Sequence, residues 1–119
     1  MTIEEIIVSE TASIAPAYPL IMPAGAAADC IVYQMISGSQ DFGDHTQPRV
    51  QLACWSRTYG GAVALGDSVR QALHMRHATV GGIHYTSMVV NEMDGNPDTD
   101  AGRYARLIDV KFFYQKPLT

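Results

Sequence analysis

The sequence predicts an α+β fold: a mainly antiparallel four-stranded sheet with one long helix packed on one face and a short N-terminal helix. Three observations predict it. Four stretches are β-branched, aromatic or strictly alternating, and they come in two pairs joined by polar, glycine-bearing loops. One stretch between the pairs repeats its apolar residues at three and four. Paired strands on either side of a helix, rather than strands alternating singly with helices, point to hairpins and an antiparallel sheet.

Thr2-Ile3-Glu4-Glu5 has the form of a capping box, a hydroxyl at the N-cap answered by a carboxylate three residues on. The helix it opens is short, because Ile6, Ile7 and Val8 give way to small and polar residues up to Ala15. Pro16, Pro19 and Pro23 then forbid regular helix and predict an extended connector around "AYPLIMP".

Residues 30–37, "CIVYQMIS", read as a strand covered along most of its length. "GSQDFGDHTQP" follows as a long hairpin loop, 38–48, and the partner strand occupies 49–56. In that strand Val50, Leu52 and Cys54 share one face, and Gln51, Ala53 and Trp55 the other.

The helix is predicted over 58–75, with Ala62, Leu65, Gly66, Val69, Ala72 and Leu73 on its inner face and Asp67, Arg70 and Gln71 outside. A glycine inside a helix costs about 1 kcal/mol against alanine, so Gly66 predicts close approach of the helix to the sheet. Gly81-Gly82 marks a turn into a third strand, and "DGNPDTDAGR" is an acidic loop. In the last strand, "YARLIDVKFFY", Ile108, Val110 and Phe112 are predicted buried, with Asp109 and Lys111 on a wet face.

A chain of 119 residues fits one domain, 1–119, that buries roughly 65% of its unfolded surface. The net charge of −4 argues against a reader of nucleic acid that works through phosphate contacts, and the eight Lys and Arg residues are scattered from Arg49 to Lys116. The opening "MTIEEII" carries acids where a secretory signal needs positive charge, and no apolar run approaches a membrane span. The expectation is therefore no export, no membrane, and two reduced, buried thiols at Cys30 and Cys54.

Four features invite a chemical reading. Cys54 beside Trp55 resembles a thiol nucleophile only in that pair of residues, and the alternation makes it core. His74 and His77 stand three apart, with His45 and His84 elsewhere, but no metal-ligand spacing supports a zinc site. Arg70, His74, Arg76 and His77 read instead as cations complementing the negative end of the helix dipole. Gly60-Gly61 lacks the rest of a phosphate loop, and the acidic loop lacks the spaced ligands of a calcium site. No enzyme, cofactor or metal site is predicted.

The ordered set of motifs resembles the bacteriophage tail-completion, or tail-terminator (tail-to-head joining), family over residues 18–115. The matching features are Val32 to Gly38, the alternating strand ending at Trp55, the helix ending in Val69 to Leu73, and a closing pattern of Asp100, Gly102, Arg103, Tyr104, Arg106, Asp109 and Tyr114. None of these motifs is catalytic. The first 17 residues depart from the family's usual longer opening helix.

The resemblance implies a structural virion protein: a homo-oligomeric ring, usually hexameric, at the head-proximal end of the tail. Such a ring caps the tail-tube protein, docks on the head connector or head-completion protein, and passes DNA without reading its sequence. An acidic subunit suits a channel to which DNA must not stick. Ring contacts are expected at Asp41, Phe42, Asp44 and His45 in the hairpin, at Trp55, and at Arg103 and Arg106 before the last strand. The alternatives are a head-tail connector or adaptor protein, and a small α+β enzyme or ligand-binding domain using Cys54 or the histidines.

Overall fold

The computed structural model describes residues 3–40 and 45–115, with the side chains of 37–40, 45, 46 and 115 left aside. Two helices and six strands follow in the order α1 (Ile3–Thr11), β1 (Ala17–Pro19), β2 (Cys30–Gln40), β3 (His45–Ser56), α2 (Tyr59–Leu73), β4 (Arg76–Val80), β5 (Ile83–Asp94) and β6 (Tyr104–Gln115). The sheet is six-stranded in the order β1-β2-β3-β6-β5-β4 and curls into a half-barrel. The β1–β2 pair is parallel and the other four are antiparallel, so the sheet is mixed.

This corrects the expected four-stranded antiparallel sheet. The four expected strands exist, and each reaches further than its sequence pattern; the two additional strands are the short edges. β1 lies within the predicted connector, where two prolines permit extended backbone and only three residues pair, with Ile31 to Tyr33. β4 lies just past the predicted helix and includes Arg76 and His77, which the sequence pattern groups with the helix end. The break comes at Met75, whose φ of 53° ends the helical run after the cap at His74. Arg76 and His77 are therefore on a strand and not at the helix end, leaving Arg70 as the basic residue of the last turn.

The long hairpin loop is also shorter than expected. β2 continues to Gln40 and β3 begins at His45, with Gly38 opposite Pro48 and Gln40 opposite Thr46. A β-bulge between Met35 and Ser37 absorbs the change of register. Thr2, Asp41, Phe42 and Asp44 lie outside the described residues, and so does the His45 side chain.

The core follows the sequence pattern. Val50, Leu52 and Cys54 of β3 and Ile108, Val110 and Phe112 of β6 are at most 1% exposed. They pack in one cluster with Ile3, Ile6 and Ile7 of α1 and Leu65, Val69 and Leu73 of α2. Both helices thus cover the same face of the sheet. Thr58 caps α2, its hydroxyl accepting from the Gly61 amide at 2.9 Å. Gly61 is needed there because a β-carbon would collide with the Ser56 hydroxyl, which gives the Gly60-Gly61 pair a packing reason.

Candidate interaction surface

Because both helices lie on one face, the other face of the sheet has no helix above it among the described residues. Alternation puts Trp55, Ala53 and Gln51 of β3 on that face, beside Val32 and Gln34 of β2 and Leu107 of β6. These residues floor a groove of about 590 Å³. One lip is formed by Leu20 and Ile21 in the segment after β1, the other by Asp98 and Ala101 in the loop 95–103.

The first lip is held in an unusual backbone shape. Leu20 has a φ of 63°, which costs an L-residue about 1 kcal/mol or more, and its amide donates to the Tyr33 carbonyl at 2.9 Å. The turn leaves Leu20 and Ile21 at 70% and 77% exposure. Two adjacent large apolar residues raised beside an apolar groove are the clearest surface feature of the fold. The sequence signal was available in "YPLIMP", two aliphatics between prolines with no polar residue to justify them.

Arg103 ties the segment behind that lip to the opposite lip. Its guanidinium donates to the Ala27 carbonyl at 2.9 Å, the Ala26 carbonyl at 3.2 Å, the Met22 sulfur at 3.1 Å and the Cys30 sulfur at 3.8 Å. Asp98 and Arg103 pair backbone to backbone, and Asp98 Oδ1 accepts from the Ala101 amide, so the acidic loop is a closed turn. Cys30, although on the Trp55 side, is consequently fully buried.

Arg106 lies on the helix face instead. It donates to Asp94 Oδ1 at 2.7 Å and Glu92 Oε1 at 3.2 Å, and the Tyr59 hydroxyl donates to the same Asp94. The two arginines expected at ring contacts therefore make their bonds within the chain, Arg103 at the groove and Arg106 beneath α2. Trp55 lines the open groove, half-buried.

Further along the open face Asp109 is not wet, as the alternation predicted, but 4% exposed. Arg49 Nη2 donates to it at 3.0 Å and Gln51 Nε2 at 3.1 Å. Lys111 extends over the Phe113 ring, 5.3 Å from its centroid.

The residues considered for chemistry are dispersed. Cys54 is fully buried, and burial, then the Glu92 charge, push its thiol up to about 12, far from a thiolate at neutral pH. The His74 ring accepts the Val89 amide at 3.2 Å. His77 and His84 each meet a threonine across the β4–β5 hairpin, Thr86 and Thr79 respectively. Among the described residues no group of three or more His, Cys, Asp or Glu side chains is placed to hold a metal ion. No described helix is long and apolar enough to cross a membrane.

The fold is similar to that of a chain in the virion of a native gene transfer agent (GTA) particle, with a TM-score of 0.64 over 92% of this chain and 84% of that one. The two share 9% identity, so the likeness is one of fold. No curated protein sequence matches the chain. Residues 9–115 match the model of the tail completion protein gp17 family, and the chain belongs to that family.

Proposed function

We propose that the chain is a tail terminator: a ring of copies, six by the family resemblance, that caps the head-proximal end of the tail tube and joins it to the head connector. Membership of a tail-completion family makes it a structural protein of a phage tail. The observation that supports the finer reading is the groove beside Trp55, a built apolar surface on the sheet face that the chain's own helices leave open. A surface of that kind fits a permanent contact in a particle better than turnover of a substrate. DNA would pass through the ring without sequence recognition, in keeping with a net charge of −4 and no basic stripe.

In this reading Trp55 lies against an adjoining virion subunit. Asp41, Phe42, Asp44 and His45, which follow β2 in the sequence, add a further contact. Arg103 and Arg106 contribute through the segments they position.

The test is reconstitution with tail tubes. Added protein should arrest tube growth at a defined length and permit joining to heads, both read by electron microscopy. The chain has one tryptophan, so its fluorescence reports Trp55 alone and should shift on assembly. Trp55→Ala should fold but cap poorly. Tubes that stop and join equally well without the protein would refute the proposal. Particles that carry the protein on the head connector but not on the tail would favour an adaptor role.

A further inference from the structure

The sheet ends in two edges that the described residues do not cover. On one side β1 shields only the first part of β2. The Ile31 amide donates to the Pro16 carbonyl at 2.8 Å and the Tyr33 carbonyl accepts from the Leu20 amide, so the odd residues of β2 direct their backbone groups outward. By the same alternation Met35 points its N–H and C=O outward as well. β1 has already ended at Pro19, and Leu20 turns the chain away. Among the described residues no hydrogen bond reaches the outer side of β2 from Gln34 to Gln40.

Natural edge strands are blunted by charge, proline or cover. This one, "QMISGSQ", has neither charge nor proline, and only the bulge after Met35 interrupts it. Met35 and Ile36 are 42% and 45% exposed there, one apolar side chain beside the other on an open ladder.

On the far side of the sheet, β4 is the other edge. Its hairpin with β5 closes through Gly81 and Gly82, whose φ values of 58° and 80° give a type I′ turn between Val80 and Ile83. In such a hairpin the closing pair bonds to itself. Thr79 and His77 therefore direct their amides and carbonyls outward, and no hydrogen bond among the described residues meets these backbone groups.

We propose that copies of this chain join by strand addition, the free edge of β2 in one copy receiving β4 of the next, and that this contact builds the ring. It rests on the ring reading above and specifies its interface. A second copy is the occupant because the chain carries both halves. β4 has five residues and the free part of β2 runs over 34–40, so one edge spans the other. A foreign strand would satisfy one edge and leave the second open in every subunit. Two different edges of one molecule pairing in this way make a heterologous contact, the kind that closes into rings.

The experiment uses Met35→Pro and Thr79→Pro. Proline at either position removes an outward amide and leaves the inner ladder bonds in place. Mass is measured for the full chain, free and bound to tail tubes. Wild type should close into a ring, and each variant alone should stay a single subunit. Their equimolar mixture should stop at two subunits, since one variant keeps the β4 edge and the other the β2 edge. Met35→Lys and Thr79→Lys, which keep every amide but charge the edge, should give the same pattern and serve if a proline variant loses its far-ultraviolet dichroism. Rings formed by the variants as readily as by wild type would overturn edge pairing and leave the ring reading standing. Wild type that remains a single subunit even on tubes would overturn both.

Discussion

Gly66 of α2 lies directly against Arg106 of β6: a β-carbon on the glycine would stand 2.8 Å from Arg106 Cγ and 3.3 Å from its Cβ. The arginine stem has no room to retreat, because its head is fixed by Glu92 and Asp94. The helix therefore approaches this strand at Gly66, where it lacks a side chain.

Gly66→Ala should consequently destabilise the protein, although alanine is the better helix former by about 1 kcal/mol. Overpacking costs about 1–3 kcal/mol and outweighs that gain. Urea unfolding should show a net loss of about 1 kcal/mol. In an Arg106→Ala background the same change should stabilise, since the 2.8 Å clash with Cγ is gone and only the residue-106 Cβ at 3.3 Å and Ile108 at 3.5 Å remain near. The same sign in both backgrounds would refute the steric account.

Asp109 is a buried carboxylate on an otherwise open face, and its two partners come from β3 across the ladder. Asp109→Ala leaves Arg49 without its carboxylate, and Arg49 Nε is already buried without a partner. Arg49 is 40% exposed at its side chain, so solvent recovers part of the loss. The expected cost is about 2 kcal/mol, with Asp109→Asn at roughly half that because the Gln51 bond survives. The Arg49→Ala, Asp109→Ala double variant should lose less than the sum of the singles. Strict additivity would mean that the two residues do not act as a pair.

What was legible in the sequence tracks what is periodic. Val50, Leu52 and Cys54, or Ala62, Leu65 and Val69, repeat at the spacing of their element, so their faces could be assigned before any contact was known. The same order of motifs carried the family resemblance. The edges were not legible, because β1 and β4 are too short for a period and follow from where the chain breaks, at Leu20 and Met75. Asp109 was read as wet because alternation reports a face and not what covers it. The role of Arg103 depends on residues more than 70 positions away, a relation that local pattern does not contain.

Arg103 makes a testable link between the groove and Cys30. Arg103→Ala frees the Ala26 and Ala27 carbonyls and uncovers the thiol beneath. Burial holds the Cys30 thiol above its ordinary value and the Arg103 charge opposes that rise less strongly. Removing the arginine withdraws the smaller effect directly, while opening the segment relieves the larger one. Labelling of Cys30 by a disulfide reagent in the native state should speed up by at least about tenfold, with Cys54 unchanged. Arg103→Lys should fall between, because an ammonium cannot reproduce the planar fork that spans two carbonyls. Unaltered Cys30 reactivity in the alanine variant would show that the segment stays closed without its tie.

Cys54 should contribute to a loss of stability at alkaline pH. Its thiol is raised from 9.0 to about 12 in the folded chain, first by burial and then by the charges of Glu92 and Cys30. Below pH 9 both folded and unfolded states keep the proton, so the group contributes no pH dependence there. Between pH 9 and 12 the unfolded state releases the proton and the folded state retains it, so stability falls as pH rises. At pH 10.5 the loss attributable to Cys54 is about 2 kcal/mol, from 1.5 units at 1.36 kcal/mol each. Cys30 shifts in the same direction and adds to it. Cys54→Ala should lower stability at pH 7 through the small cavity it leaves, yet flatten the decline above pH 9. Urea midpoints at pH 8 and pH 10.5 for both proteins measure the difference. Parallel declines would mean that Cys54 is not the group responsible, whereas convergence of the two curves at alkaline pH would assign the decline to this thiol.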